Sequence, residues 1–336
     1  MTRMNFVILG AGAIGCYVGA RLASGGRRVT LVGRPRTVEA LAAGGLAVSD
    51  LDGFKAHVPA HLLNLATSLA SVSMPSPCVI LLCVKGGATE SAALEIAACC
   101  PSGTTVVSLQ NGVDNVARIS AIAPRMRALA GMVPYNVVMP APGHVHRATH
   151  GSLHVASNAL TQEMALLFNA CGLSTVLARD MRPLQWGKLL LNLNNPVNAL
   201  SDLPLREQLM DRDYRRVLAA LQQEALTVMQ RAGIRPARVA AAPPFAMPFI
   251  LRLPNWLFRL VAARMLRIDD SARSSMWDDV QHGRTTEIDD LCGAVVRLAA
   301  QNDMQAPRNA AMRKLVAEHR KGLRLSGPDM RKTALP

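Results

Sequence analysis

Hydrophobic residues in the first half of the chain form short continuous runs that alternate with stretches of helical spacing. The runs cover residues 5–9, 28–32, 77–84 and 104–109, and each is largely apolar. Continuous apolar runs of this length are typical of strands buried on both faces. Strands that alternate with helices predict a parallel, doubly wound sheet, which binds its ligands at the carboxyl ends of the strands.

The pattern changes after about Pro183. Long segments at helical spacing cover residues 184–200, 214–232, 254–266, 272–282, 287–301 and 309–321. The predicted fold class is therefore α/β, with an N-terminal doubly wound parallel sheet followed by an all-α C-terminal domain. The predicted boundaries are 1–182 for the sheet domain, including a hairpin near 143–156 made by residues 144–147 and 153–156, then 183–322 for the helical domain. Residues 323–336 are predicted to be a frayed polar tail.

A glycine-rich turn follows the first predicted strand. Its residues, Gly10-Ala11-Gly12-Ala13-Ile14-Gly15, form a G-x-G-x-x-G sequence that opens a predicted helix. The absent side chains allow a pyrophosphate to approach the backbone at the N-terminus of that helix. We predict a bound dinucleotide here; the alternative is that the glycines only permit close packing of helix on strand.

The end of the second strand indicates which dinucleotide is bound. An acidic residue there would hold the free ribose 2′-hydroxyl of NAD, but the sequence has Arg34 and Arg36 instead. Guanidinium groups suit a 2′-phosphate, so the sequence predicts NADP. The alternative, which we accept for Arg36, is an ordinary solvated loop charge.

Polar residues interrupt an apolar helical stretch near residue 190. Lys188 and Asn192 stand four residues apart, and Asn195 follows directly before Pro196. A lysine in such a place often reaches to water, and asparagines beside a proline often cap or turn a helix. A bound dinucleotide that delivers hydride to a carbonyl needs a partner group that protonates or polarises the carbonyl oxygen, and the Lys188 ammonium can do that.

Hydroxyl and carboxylate groups surround a second helix junction. Ser274 and Ser275 precede it, and Thr285, Thr286 and Glu287 follow it. The alternative to a functional role is that one of the two threonines N-caps the helix that begins near Glu287.

Composition excludes several classes of protein. Lys plus Arg number 37 and Asp plus Glu 23, a formal charge of +14, which indicates anionic ligands. The arginines are spread along the chain and aromatic residues make up only 4%, so we expect no nucleic-acid partner. Arginines and prolines interrupt the apolar segment 245–268, which predicts no membrane span.

Cysteine and histidine patterns add no metal site. The seven cysteines form no Cys-x-x-Cys pair, and no export signal precedes the first strand, so we expect a reduced, cytoplasmic protein. His144, His146, His150 and His154 share no acidic or cysteine neighbour that would complete a metal site.

Taken in order, these motifs resemble the 2-dehydropantoate 2-reductase (ketopantoate reductase) family over roughly residues 4–320. The resemblance is carried by Gly10 to Gly15, Arg34, Lys85, Asn111-Gly112, Trp186-x-Lys188-Leu189-x-x-Asn192, Asn195-Pro196, Ser274-Ser275-Met276 and Thr286-Glu287-Ile288-Asp289. It implies a Rossmann-type domain followed by an all-α domain. It also implies NADPH-dependent reduction of ketopantoate to pantoate, in pantothenate and coenzyme A biosynthesis.

The resemblance implies a role for each matched residue. Lys188 would be the general acid, and Glu287, the second catalytic residue, would face the nicotinamide ribose. Asn111, Asn192, Asn195 and Ser275 would contact the substrate. The cofactor would be bound by the turn from Gly10 to Gly15, by Arg34, Lys85, Asn111 and Glu287, and by the backbone of Val137.

Two departures from the family pattern keep alternatives open. Asn192 and Asn195 are three residues apart where the family commonly spaces them by four, so either the helix is locally altered or Asn194 shares the role of Asn195. The changed spacing also leaves another branched 2-keto acid as a substrate. The alternative from another class of function is a non-catalytic protein that binds NADP as a sensor.

The second departure is the long connection at 237–272. It would be a lid or homodimer contact lined with Phe249, Trp256 and Phe258, or an extra helix packed on the helical domain.

Overall fold

The computed structural model describes residues 4–74, 76–239, 242–263, 266, 272–319 and 321–335. The chain forms two compact units, Met1–Met181 and Arg182–Pro336. No helix in the described part of the chain is both long and apolar enough to cross a membrane.

The first unit combines strands and helices. The strands are β1 (Asn5–Leu9), β2 (Val29–Val32), β3 (Leu46–Asp50), β4 (Lys55–Val58), β5 (Asn64–Ala66), β6 (Cys78–Leu82), β7 (Thr105–Ser108), β8 (Arg127–Met132), β9 (Val137–Ala141), β10 (His144–Arg147), β11 (Leu153–Ala156) and β12 (Thr175–Ala178). The helices are α1 (Ala13–Ser24), α2 (Pro35–Gly44), α3 (Thr89–Cys99), α4 (Asn115–Ile122) and α5 (Ala159–Ala170).

The main sheet has eight strands in the order β12-β11-β8-β7-β6-β1-β2-β5. Its centre is parallel, since β1 pairs with β2 and β6, and β7 pairs with β6 and β8 in the same direction. Phe6 and Ile8 pack into the hydrophobic cluster on one face, whereas Val7 and Leu9 pack into the cluster on the other. Burial on both faces explains the continuous apolar runs and confirms the predicted parallel α/β sheet.

A second sheet, in the order β4-β3-β10-β9, corrects the predicted hairpin. β10 pairs antiparallel with β9 and parallel with β3, whereas β11 pairs with β8 and β12 in the main sheet. The prediction that residues 144–147 pair with 153–156 is therefore wrong. Gly143, with a φ of 76°, makes the tight turn between β9 and β10.

The described residues of the second unit form helices and connecting turns. The helices are α6 (Arg182–Asn192), α7 (Asn194–Ser201), α8 (Leu205–Met210), α9 (Arg212–Arg231), α10 (Met247–Arg252), α11 (Asn255–Val261), α12 (Ser275–Gln281), α13 (Ile288–Ala300), α14 (Pro307–Glu318) and α15 (Gly327–Ala334). The helix predicted over 184–200 is divided in two at Leu193.

A buried arginine attaches the segment 237–272 to the long helix α9. The Arg215 guanidinium donates hydrogen bonds to the carbonyls of Leu251 and Leu253 at 3.0 and 2.8 Å, and to Asn255 Oδ1 at 2.9 Å. It also stacks on the Phe258 ring at 4.1 Å. Burial lowers the pKa of Arg215 to about 10.

Helices α10 and α11 of this segment thus pack on the helical unit, as the second of the two alternatives predicted. Two of the three proposed lid-lining residues, Phe249 and Trp256, are 65% and 71% exposed, while Phe258 is buried against Arg215. Residues 240, 241, 264, 265 and 267–271 of the segment lie outside the described residues.

The predicted frayed tail is also wrong, because residues 327–334 form α15. Met330 and Ala334, four residues apart, are fully buried and give the helix a narrow apolar stripe. Arg331 pairs with Asp213 at 2.6 Å, and the Tyr214 hydroxyl donates to the Leu325 carbonyl at 2.7 Å. Polar residues, glycine and proline make up most of residues 323–336, so the hydrophobic pattern of this segment did not predict a packed helix.

Candidate active site

In the glycine turn between β1 and α1, the first and last glycines have no space for a side chain. Gly10 has a φ of 113°, and a Cβ on it would lie 2.6 Å from the backbone nitrogen of Val84. A Cβ on Gly15 would lie 2.1 Å from the Gly10 carbonyl oxygen. The turn and the close packing of helix on strand therefore require these two glycines.

The middle glycine of the turn differs from the other two. Gly12 is the N-cap of α1 with a φ of −85°, which other residues adopt readily. A Cβ on Gly12 would meet no described atom within 4 Å. The packing of the described chain therefore does not require glycine at position 12. A pyrophosphate at the N-terminus of α1 would require it, because a side chain would occupy the space of the phosphates. The turn thus fits a dinucleotide.

The other predicted cofactor residues follow neighbouring strands of the same sheet. Arg34 is the exposed N-cap of α2 after β2, Lys85 is exposed after β6, and Asn111 is half-buried after β7. Hydrogen bonds join these strand ends: the Cys83 N–H donates to the Leu9 carbonyl at 2.8 Å, and the Gly10 N–H to the Val32 carbonyl at 2.9 Å. The parallel sheet brings these residues to one edge.

A buried polar network that sequence reasoning missed supports Asn111. Asn115 Nδ2 donates to the Asn111 carbonyl at 2.7 Å, and Thr89 Oγ1 donates to Asn115 Oδ1 at 3.2 Å. Gln110 Nε2 donates to Thr89 Oγ1 at 2.8 Å, and Ser108 donates to Gln110. The sequence signal that could have predicted this network is the cluster of polar residues near the ends of the two buried strands β6 and β7.

Val137 belongs to a different sheet from these strand ends. It begins β9 in the second sheet, where it is buried and paired with Arg147. The backbone contact that the resemblance implies for Val137 stays a prediction.

In the second unit, α6 carries Lys188 in a half-buried position. Burial lowers the pKa of the Lys188 ammonium to about 8, and the nearby Glu287 carboxylate opposes this shift. Glu287 is the N-cap residue of α13, and its side chain does not cap the helix. The structure thus brings the two predicted catalytic residues together, and places neither Thr285 nor Thr286 at the N-cap position that the alternative required.

The position of α6 depends on a close contact with the segment that follows α9. A Cβ on Gly187 would lie 2.3 Å from the Ala237 carbonyl oxygen, and the Ala237 N–H donates to the Pro183 carbonyl at 2.8 Å. Gln222 on α9 donates to the Leu190 carbonyl at 2.9 Å. These contacts hold the helix on either side of Lys188.

The three predicted substrate residues of this unit lie at helix ends. Asn192 is the last residue of α6, Asn195 the second of α7, and Ser275 the exposed first residue of α12. Ser274 Oγ donates to the Asn195 carbonyl at 3.3 Å, which places α12 beside the start of α7.

Two further asparagines hold this junction: Asn198, which the sequence analysis did not single out, and Asn194, the alternative to Asn195 for the second asparagine role. Asn198 Oδ1 accepts a hydrogen bond from the Ser274 N–H at 2.9 Å. Asn194 Oδ1 accepts one from Gln208 Nε2 at 3.1 Å, which gives Asn194 a structural contact. Among the described residues, no group of three or more His, Cys, Asp or Glu side chains is placed to hold a metal ion.

Two sequence profiles of one protein family match this chain. The ketopantoate reductase PanE/ApbA profile matches residues 6–159, and the profile of the C-terminal part of that family matches residues 180–320. The chain belongs to the ketopantoate reductase family. Members are nicotinamide-dinucleotide-dependent oxidoreductases, and the predicted resemblance is confirmed.

Similar proteins agree with this membership. The 2-dehydropantoate 2-reductase of Pyrococcus horikoshii is 28% identical over 320 residues, which cover 93% of this chain and 96% of the relative. The crystal structure of a PanE/ApbA family ketopantoate reductase from Ralstonia eutropha JMP134 is 28% identical with a TM-score of 0.79, covering 94% of this chain and 97% of that one.

The same fold also occurs in a D-mandelate dehydrogenase solved with NADH and anilino(oxo)acetate. The superposition covers 94% of this chain and 97% of the dehydrogenase chain, with a TM-score of 0.74 and 20% sequence identity. At this identity the likeness shows the fold alone. In this ketopantoate reductase family member, the glycine turn lies within the first matched range. Lys188, Asn192, Asn195, Ser275 and Glu287 all lie within the second.

Proposed function

We propose that this protein reduces 2-dehydropantoate to pantoate with NADPH, a step of pantothenate and coenzyme A biosynthesis. The observation that carries the proposal is the half-buried Lys188, whose pKa is lowered to about 8 while Glu287 opposes the shift. An amine tuned toward neutral pH beside a carboxylate suits a general acid. Membership in the family supports the substrate and the reaction type.

The chain's own groups fit a nicotinamide dinucleotide. The space at Gly12 and the N–H groups at the start of α1 would accept the pyrophosphate, with Lys85 and Asn111 at the neighbouring strand ends. Bound NADPH supplies the hydride that adds to C2 of the keto acid. The exposed Arg34 guanidinium would pair with the 2′-phosphate and so favour NADPH over NADH.

Lys188 supplies the proton. With a pKa of about 8, most of it is protonated at pH 7, and it donates that proton to the carbonyl oxygen at C2 as the C–O double bond becomes a hydroxyl. The neutral amine then takes a proton from water. Glu287 favours the protonated state, while Asn192, Asn195 and Ser275 hold the substrate's hydroxyl and carboxylate oxygens.

A second candidate substrate is another branched 2-keto acid. The break at Leu193 assigns Asn192 and Asn195 to different helices, and this spacing departs from the common family pattern. Different positions of these two amides would favour a keto acid of different shape by the same chemistry.

A substrate panel tests the proposal. NADPH absorbance is followed with ketopantoate, with other branched 2-keto acids and with NADH, for the wild type and for Lys188→Ala. We expect the highest kcat/KM with ketopantoate and NADPH, and a loss of about 10²–10⁴ in kcat for Lys188→Ala. A higher kcat/KM with another keto acid would change the substrate and keep the mechanism, whereas NADPH binding without turnover would favour the sensor.

A further inference from the structure

The helical unit contains a cavity of about 390 Å³ that is lined mainly by arginines. Its walls carry Arg212, Arg216, Arg252, Arg308 and Arg331, together with Ala220 and Leu335. None of these residues belongs to the proposed reductase site. The volume lies within the range of about 300–1,000 Å³ that small-molecule sites occupy.

Four helices contribute to this arginine cavity. Arg212 and Arg216 lie on α9, Arg252 ends α10, Arg308 lies in the first turn of α14, and Arg331 lies on α15. α15 follows residue 320, where the match to the family profile ends. The cavity therefore includes a helix outside the range that the family profile describes.

The positions of these arginines lower the stability of the folded protein. Arg212 and Arg216 are four residues apart on one face of α9, and like charges at that spacing repel. Both lie in the first two turns of α9, and Arg308 is the second residue of α14, where the positive end of the helix dipole also disfavours a cation. A ligand that neutralises the cluster would offset this cost.

The described acidic groups beside the cavity neutralise only one of its five arginines. Asp213 pairs with Arg331 at 2.6 Å, and Asp211 caps the N-terminus of α9. The Glu224 carboxylate accepts backbone N–H groups of Arg308 and Asn309 at 3.0 and 2.8 Å. Among the described residues, no acidic side chain forms an ion pair with the guanidinium of Arg212, Arg216, Arg252 or Arg308.

We propose that the arginine cavity binds a compact anion bearing a diphosphate group, either inorganic pyrophosphate or the diphosphate of a nucleotide. One guanidinium group can bind two phosphate oxygens through two parallel N–H donors. Arg212 donates one long hydrogen bond, 3.4 Å, to the Arg252 carbonyl, and the guanidinium groups of Arg216, Arg252 and Arg308 form no ion pair among the described residues, so several donors face two linked phosphoryl groups. Ala220, one turn beyond Arg216 on the same face of α9, leaves room for the anion.

Isothermal titration of the whole chain given by the sequence tests this site, with saturating NADP⁺ present so that the glycine turn is filled. The probes are pyrophosphate, ADP and inorganic phosphate at constant ionic strength. We expect pyrophosphate or ADP to bind at one site per chain, at least tenfold more tightly than inorganic phosphate. The double variant Arg216→Gln/Arg308→Gln should weaken that binding at least tenfold, as should Arg252→Gln alone.

The matched control is Arg231→Gln, at the exposed C-terminal end of the same helix α9, which should leave the affinity unchanged. Because the double variant removes repelling charges, its Tm should equal or exceed that of the wild type. Equal affinities in the double variant and in Arg231→Gln would overturn the proposal. So would inorganic phosphate that binds as tightly as pyrophosphate, or binding of all probes that NADP⁺ abolishes.

Discussion

The Glu287 carboxylate, at the start of α13, acts on the Lys188 ammonium of α6 and raises its pKa, while burial lowers that pKa to about 8. The net shift is downward from the ordinary value of 10.5, so the desolvation of Lys188 exceeds the attraction of Glu287. This balance produces an acid suited to neutral pH, and both its catalytic and its energetic consequences are measurable.

The pH dependence of turnover should follow the protonation of Lys188. We expect kcat for keto acid reduction to fall above about pH 8, because the deprotonated amine has no proton to donate. Glu287→Gln removes the group that raises the pKa, so the descending limb should move to lower pH. Glu207→Gln, on an exposed part of α8, serves as the control and should keep the wild-type limb. An identical limb in all three proteins would contradict the assignment of Lys188.

Lys188→Met should lower kcat by about 10²–10⁴, as Lys188→Ala does, and stabilise the fold below pH 8. There the wild-type lysine is protonated in both the folded and unfolded states, and the folded state bears the cost of burying the charge. Between about pH 8 and 10.5 the folded protein releases this proton while the unfolded chain keeps it, so wild-type stability rises with pH and the difference shrinks. Thermal unfolding at pH 7 and pH 10 measures both gaps. The exposed Lys314→Met should show no such change, and a constant gap for Lys188→Met would refute the burial cost.

Two glycine substitutions separate cofactor binding from folding. Gly12→Ala should leave the Tm unchanged but weaken NADPH binding about tenfold, because its Cβ enters only the space proposed for the pyrophosphate. Gly15→Ala should destabilise the fold by about 1–3 kcal/mol, since its Cβ would overlap the Gly10 carbonyl. Fluorescence titration with NADPH and thermal unfolding give the two readouts. Unchanged NADPH affinity in Gly12→Ala would argue against a pyrophosphate at this turn.

Arg34 should determine the preference for NADPH over NADH. Arg34→Ala is expected to lower the ratio of kcat/KM for NADPH to that for NADH at least tenfold, because a charge-assisted contact contributes about 1.5–3 kcal/mol. Arg36→Ala, also exposed and two residues away, is the matched control and should leave the ratio within about twofold of the wild type, less than the loss of one such contact. Equal effects of the two substitutions would indicate a general charge effect rather than recognition of the 2′-phosphate.

Asn194 and Asn195 should differ in what they support. Asn194→Ala loses the hydrogen bond from Gln208 and should destabilise the protein by about 1 kcal/mol with little change in kcat/KM. Asn195→Ala should raise the KM for the keto acid and leave the Tm nearly unchanged, since its structural contact uses the backbone carbonyl. The reverse pattern would transfer the substrate role to Asn194.

The sequence alone determined the features that depend on neighbours along the chain. Apolar runs such as residues 5–9 predicted strands, because burial on both faces leaves no polar position. The glycine turn was predicted because the absence of side chains at Gly10, Gly12 and Gly15 is itself the chemical requirement. Lys188 was predicted to be functional because a charged residue in an apolar helical stretch is costly to bury without a partner. The resemblance to the family then implied that its role is that of the general acid.

Only the tertiary structure decided which distant segments meet. β10 joined β9 and β3 rather than β11, Ser274 reached Asn195 across 79 positions, and Arg331 reached Asp213 across 118. The arginine cavity likewise assembles from four helices whose arginines appear in the sequence as scattered charges. Local patterns specify which element forms and which face is buried. The partner of that face depends on packing over long sequence separations, which no local pattern encodes.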